Sequence, residues 1–231
     1  MNESLQAVYG GSSITSVEQR NRVLRNTYWL LALSLVPTVL GAWVGVSTGV
    51  IARMGVGMSV LLFMGGAFGF IFAIEKTKNS SAGVGVLLAF TFFTGLMLSR
   101  LLAMVLGFKN GPSLIMTAFG GTAGVFFAVA SLATVIKRDL SNMTKFLYVG
   151  AVVLVVASLL NIFFLQSSAM MLTMSVIAIG LFTAFMLYDI KQVIDGGETN
   201  YITATLQIYL DLVNIFQNRL VLLGVLGGDR E

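Results

Sequence analysis

Long apolar runs alternate with short polar links along most of the chain. A helix needs about 20 apolar residues to cross a bilayer, and the runs reach that length. Apolar and polar residues do not alternate within these runs, as they do in membrane β-strands. A single segment in hydrocarbon must also pair its own backbone polar groups, which a helix does. The pattern predicts an all-α integral membrane protein, a bundle of seven transmembrane helices at residues 28–52, 54–74, 82–106, 113–136, 144–165, 168–190 and 201–226.

The segment before the first run is polar and has no apolar core of the kind that a signal peptide carries. It favours a flexible cytoplasmic tail over residues 1–27. No link between the predicted spans is long enough to form another domain. Residues 28–231 are therefore predicted to be a single transmembrane helical domain.

Composition supports a membrane protein and excludes several chemistries. The chain is 57% hydrophobic and 10% charged, whereas a soluble domain is about one quarter charged. It has neither histidine nor cysteine, which excludes imidazole and thiol catalysis, the common zinc sites and disulfides. The net charge of +4 comes from basic residues scattered between apolar runs. We therefore expect the lipid bilayer as surroundings, with no nucleic acid, no small-molecule substrate and no cofactor.

The basic residues also predict an orientation. Most of them fall on one side of a seven-span chain, namely Arg20, Arg22, Arg25, Lys76, Lys78, Lys137, Arg138, Lys145 and Lys191. The other side receives Arg53, Arg100, Lys109 and Arg230. The positive-inside rule then predicts a cytoplasmic N-terminus and an external C-terminus. If the polar seventh span dips in and returns, the C-terminus is cytoplasmic instead.

The seventh span carries a polar stripe. At 100° per residue, five side chains fall within one arc: Thr203, Gln207, Asp211, Asn214 and Asn218. Polar side chains inside a membrane belong against protein or water, which predicts a central seventh helix. For the amides of Gln207, Asn214 and Asn218, hydrogen bonding between helices is an equally good explanation.

Asp211 and Asp189 are the candidate functional residues. Asp211 lies about 15 Å into its span, where a charge costs on the order of 3 kcal/mol, so a functional role is the default hypothesis. The link IKQVIDGGETN is short, so spans six and seven are antiparallel neighbours that can bring both carboxylates to a similar depth. Two adjacent carboxylates cannot both ionise cheaply, and they share a proton and titrate as a unit. Deprotonated, they supply oxygen ligands suited to Ca²⁺, which predicts a pH-responsive cation site.

Several segments resemble the Bax inhibitor (TMBIM) family of seven-helix membrane proteins. The resemblance is carried by FMLYDIKQVI at 185–194 and LQIYLDLVNIF at 206–216, and it extends to IKRDLS at 136–141 and NIFFLQSSAMMLTMSVI at 161–177. It implies a central seventh helix wrapped by six others. In a bacterial member, the aspartates that match Asp189 and Asp211 form a pH-sensing dyad that controls a Ca²⁺ leak.

The resemblance also implies a latch. In that member an arginine at the cytoplasmic end of the second helix holds the dyad. The matching region here reads AIEKTKNSS, so Lys76 or Lys78 would have to substitute. Lysine lacks the planar fork with which arginine binds carboxylates.

A second branch of the family gives an alternative function. LRNTYWLLALSL at 24–35 and GGETNYITAT at 196–205 resemble the bacterial YccA-like proteins. These are associated with the membrane protease FtsH as substrate and modulator, in the bacterial inner membrane. This alternative implies FtsH as a partner and does not require ion transport at the two aspartates.

An intramembrane protease is the enzymatic alternative. Presenilin-like proteases carry their aspartates in YD and GxGD motifs, and Tyr188–Asp189 matches the first. The second motif would fall at 208–211, which reads IYLD without either glycine. We therefore predict that the protein has no catalytic residues and is not an enzyme.

Glycine spacing makes two further structural predictions. Gly120, Gly124 and Ala128 form one small-residue ridge, and Gly65 and Gly69 form another, which predicts close helix packing at both. The pair Gly196–Gly197 is predicted to end the sixth span.

Overall fold

The structure is a computed structural model that describes residues 3–138 and 140–228, and side chains from residue 17 onward except those of residues 139, 141 and 229–231. All regular secondary structure in this part of the chain is helical. The elements are α1 (Glu3–Thr48), α2 (Val50–Arg53), α3 (Val56–Thr77), α4 (Ser81–Leu106), α5 (Gly111–Val135), α6 (Ser141–Leu160), a π-helical turn (Asn161–Leu165), α7 (Ser168–Asp195) and α8 (Tyr201–Gly227). Seven helices are long and apolar enough to cross a membrane. The predicted seven-helix bundle is confirmed.

The first helix begins earlier than the sequence pattern predicts. α1 starts at Glu3 rather than at residue 28. Val23 and Thr27 are buried, and the Thr205 hydroxyl donates a hydrogen bond to the Thr27 carbonyl oxygen at 3.3 Å. The predicted boundary at residue 27 is therefore wrong, because the polar segment 17–27 packs on the end of the bundle. Residues 1 and 2 and the side chains of 3–16 lie outside the described part, so the mobility of that stretch stays a prediction.

α7 and α8 form an antiparallel hairpin with well-defined ends. α7 ends at Asp195, where Gly196 takes a φ of 83° that favours glycine, as the sequence predicts. The Asn200 side chain accepts hydrogen bonds from the backbone N–H groups of Ile202 and Thr203 and so caps α8. α8 then continues for 27 residues, about 40 Å, so it spans the membrane without turning back.

α8 is the central helix. It packs against α1, α3, α4, α5 and α7, whereas α6 packs mainly against α7 on the outside. Among its fully buried side chains are Ile208, Tyr209, Ile215 and Leu220. The predicted central position is confirmed, with the difference that α6 lies in a second layer rather than against α8.

The closest helix contact lies between α1 and α4. A Cβ atom on Gly41 would lie 2.1 Å from the Phe92 carbonyl oxygen, and one on Gly95 would lie 2.0 Å from the Thr38 carbonyl oxygen. Only glycine allows this approach of two backbones.

No described residue packs against the glycines of the two predicted small-residue ridges. A Cβ atom on Gly65, Gly69, Gly120 or Gly124 would meet no atom within 4 Å. The prediction of close packing there is wrong, because the spacing of small residues identifies a helix face but not whether a neighbour covers it.

Candidate functional site: a buried aspartate pair between the last two helices

The hairpin brings the two predicted aspartates together. Asp189 on α7 is 8% exposed and Asp211 on α8 is 4% exposed. Their carboxyl groups lie close enough to interact directly with each other. The Gly196 turn and the Asn200 cap set the register of the two helices that makes this contact.

A hydrogen bond between the two carboxyl groups requires a proton. An ionised carboxylate only accepts hydrogen bonds, so two carboxyl groups bond to each other only when one of them is protonated. Asp211 Oδ2 is buried and has no hydrogen-bond partner among the described residues. Loss of the shared proton would therefore leave negative charge on oxygens that the surrounding helices do not neutralise.

No basic side chain contacts the pair in the described part of the chain. Lys191 is buried close by along α7, but its ammonium group lies 2.6 and 2.7 Å from the two carboxylate oxygens of Asp195. The titratable groups near the pair on neighbouring segments are Glu198 in the hairpin link, which acts on Asp189, and Tyr148 on α6, on which both aspartates act.

The two lysines predicted as a latch have other contacts. Lys78 pairs with Glu75, and the Lys76 ammonium lies 4.6 Å from the centre of the Phe72 ring. Among the contacts of the described residues, neither lysine reaches Asp189 or Asp211. The latch role stays a prediction without a contact that supports it.

Apart from the buried Asp211, the polar stripe of α8 is half-buried, and the amides of Asn214 and Asn218 bond within their own helix. The Asn214 side chain donates to the Leu210 carbonyl oxygen, and that of Asn218 donates to the Asn214 carbonyl oxygen, both at 2.8 Å. These two amides therefore do not join α8 to its neighbours. Thr203 and Gln207 are likewise half-buried on the same helix.

The pair alone does not complete the coordination of a Ca²⁺ ion. Ca²⁺ takes about six to eight oxygen ligands, and two carboxylates supply at most four. The described residues contain no group of three or more histidine, cysteine, aspartate or glutamate side chains that could hold a metal ion.

Two further residues of α8 have surroundings that the sequence pattern does not reveal. Tyr209 is fully buried, and its hydroxyl lies 2.8 Å from Thr38 Oγ1 on α1 and 3.4 Å from the Thr91 carbonyl oxygen on α4. Arg219 is partly buried, with an unpartnered Nε atom. Its signal in the sequence is the same as that of Asp211, a charge well inside a span.

Fold and site together define a multi-pass α-helical membrane protein with a buried carboxyl pair between its last two helices. A family model described as Inhibitor of apoptosis-promoting Bax1 matches residues 20–231. The chain therefore belongs to the Bax inhibitor family.

Relatives of similar length occur in several bacteria. The chain is 35% identical over 226 residues to a membrane protein of Vibrio cholerae serotype O1, covering 94% of this chain and 96% of that protein. It is 35% identical over 215 residues to the Escherichia coli K12 protein named Modulator of FtsH protease YccA, covering 93% and 95%. The equally similar protein of Escherichia coli O6:H1 is named Inner membrane protein YccA.

Proposed function

We propose that the protein is a pH-sensitive cation leak of the bacterial inner membrane, with Ca²⁺ as the ion and the Asp189–Asp211 pair as its gate. The observation that carries the proposal is the contact between the two buried carboxyl groups, made where no basic side chain of the described chain neutralises them. An intramembrane ionisable group is costly and commonly marks an ion or proton pathway.

The mechanism is an exchange of one proton for a cation. With the proton bound, the pair carries a single negative charge and closes the contact between α7 and α8. When the proton leaves, two adjacent carboxylates repel each other and present hard oxygen ligands. A divalent cation then offsets that charge, and reprotonation releases it. The helices bring the ligands together, and the proton competes with the ion for the same oxygens.

Ca²⁺ entry into liposomes tests this proposal. Purified full-length protein would be compared between about pH 6 and 8 with Asp211→Asn, which keeps the side-chain shape and removes the charge. Glu75→Gln, an exposed carboxylate on α3, is the control. We expect pH-dependent flux in the wild type and the control, and loss of the pH dependence in Asp211→Asn.

Two results would contradict the leak. One is no Ca²⁺ entry into vesicles whose loading and protein content have been verified. The other is an unchanged pH dependence in Asp211→Asn.

A second candidate function follows from the relatives. A protein 35% identical over 93% of this chain is named a modulator of FtsH protease, and the same role is the second candidate function of this chain. As substrate and modulator of FtsH, it would use its N-terminal segment and protein contacts rather than the aspartates. Deletion of residues 1–16 would then abolish degradation by co-reconstituted FtsH while Ca²⁺ flux is retained, and retained degradation would count against this candidate.

A further inference from the structure

The part of α1 that precedes its apolar run packs on the α7–α8 hairpin. We call this segment, residues 17–27, the strap. Its exposed face is largely polar, and its other face is buried or half-buried. Four side chains at the spacing of one helix face form the inner side, namely Arg20, Val23, Leu24 and Thr27. The strap is therefore a helical segment whose inner face contacts the bundle.

Val23 belongs to a small apolar cluster between the strap and the hairpin. It is 8% exposed and packs with Val193 near the end of α7 and with Ala204 in the first turn of α8, which are 1% and 0% exposed. Leu24 and Tyr201 pack against the same cluster. One side chain of the strap thus completes a cluster to which both helices of the hairpin contribute.

Two polar contacts flank this cluster. Arg20 lies over the hairpin turn: its Nη1 atom donates to the Asp195 carbonyl oxygen at 3.4 Å, and a Cβ atom on Gly196 would lie 2.7 Å from its Cδ atom. A cation is favourable at the end of α7, because the last carbonyl groups of a helix carry partial negative charge. On the other side of the cluster, the Thr205 hydroxyl lies 3.3 Å from the Thr27 carbonyl oxygen. The strap therefore contacts the turn as well as both helices.

The cluster and the aspartate pair lie along the same seam between α7 and α8. Val193 follows Asp189 by four residues, and Asp211 follows Ala204 by seven, so each of these pairs shares one helix face. The aspartates are about 6 Å and about 10 Å further from the turn than their partners. Val23 closes the seam at the turn, and the two carboxyl groups lie behind it.

The start of α8 has a further attachment that does not involve the strap. The Asn200 side chain donates to the Lys78 carbonyl oxygen at 2.9 Å and to Asn79 Oδ1 at 3.0 Å, in the link between α3 and α4. Loss of the strap would uncover Val193 at the end of α7, while α8 keeps this attachment. The seam would then open by movement of the end of α7.

We infer that the strap is a positioning element of the ion site: bound to the hairpin, it holds the end of α7 against α8, and its release opens the seam and admits water and ions to Asp189 and Asp211 from the turn. The inference deepens the proposed leak and rests on it for the ion. The effect on the hairpin itself does not require transport.

Hydrogen–deuterium exchange of the full chain in lipid nanodiscs tests the effect on the hairpin. Val23→Asp places a charge in the apolar cluster and should release the strap. We expect backbone amides of residues 190–205 to exchange on the order of tenfold faster, with unchanged exchange in α5 and wild-type exchange throughout Val23→Ile. Val17→Asp is the matched control, because it makes the same substitution at a valine of the same helix that is 47% exposed. Equal exchange of residues 190–205 in the wild type and Val23→Asp would overturn the inference.

A reversible cross-link gives a second test that does not depend on how well Val23→Asp folds. The chain has no cysteine, so Val23→Cys and Ala204→Cys introduce its only two thiols. A short bifunctional thiosulfonate reagent would join them, and a reductant would separate them. We expect slower exchange of residues 190–205 in the joined form than in the separated form. Failure to cross-link, or equal exchange in the two forms, would contradict the contact of the strap with the hairpin.

Ca²⁺ flux separates this inference from the proposed leak. We expect Val23→Asp to raise Ca²⁺ entry into liposomes several-fold, and the cross-link to lower it until the reductant is added. Flux that depends on Asp211 but is equal in the joined and separated forms would retain the leak and overturn the role of the strap at the ion site. Faster exchange of the hairpin in Val23→Asp, without flux in any variant, would overturn the leak and retain the hold of the strap on the hairpin.

Discussion

At the scale of single residues, the side chains that form the polar stripe of α8 have different hydrogen-bond partners. Asp211 meets Asp189, whereas Asn214 and Asn218 bond to their own helix. The position of a charge inside a span was enough to select Asp211 from the sequence. The partners of the amides depend on side-chain rotamers and neighbours, which helical periodicity does not contain.

Tyr209 is the residue through which α8 is hydrogen-bonded to both α1 and α4. Replacing it with phenylalanine removes the hydroxyl, while the Thr38 hydroxyl still donates to the Ser34 carbonyl oxygen. We expect Tyr209→Phe to lower the free energy of unfolding by about 1 kcal/mol. Thermal denaturation in detergent would measure it, with Tyr201→Phe, a half-buried tyrosine of the same helix, as control. Equal losses in both variants would show that the hydrogen bonds of Tyr209 do not stabilise the bundle.

At the scale of helices, the sequence predicts their number and type well and their contacts poorly. A helix needs about 20 apolar residues to cross the hydrocarbon core of a bilayer, so each span can be recognised in the sequence. The sequence does not reveal that residues 17–27 belong to α1, because this segment is polar although Val23 and Thr27 are buried against the bundle. The predicted glycine ridges lie on faces that no described residue covers, and small residues there have the same spacing as those in a true helix contact.

The contact of α1 with α4 gives a prediction at this scale. The methyl group of Gly95→Ala would overlap the Thr38 carbonyl oxygen, so the two backbones would have to move apart. We expect a loss of about 1–3 kcal/mol in the free energy of unfolding. Gly65→Ala is the matched control, because its methyl group would meet no atom within 4 Å and should have no cost. Denaturation of both variants in detergent measures the difference, and equal stabilities would contradict the assigned contact.

At the scale of the whole molecule, the bundle places a hairpin of α7 and α8 so that its carboxyl pair is shielded by surrounding helices. The central position of α8 could be predicted, because a polar stripe cannot face lipid. The second-layer position of α6 could not, since an apolar helix fits equally well against α7 or α8. Arg219 lies against Gly121 of another helix, and no local pattern in the sequence joins those two residues.

The most direct test of the whole account is the Ca²⁺ affinity of the purified protein at about pH 6 and pH 8, measured for the wild type and for Asp211→Asn. Because one proton competes with the cation for the same oxygens, we expect the wild type to bind Ca²⁺ at least about tenfold more weakly at the lower pH. Asp211→Asn should bind weakly at both values. Equal affinity at the two pH values, or unchanged binding in Asp211→Asn, would contradict the claim that Asp189 and Asp211 form a proton-controlled cation site.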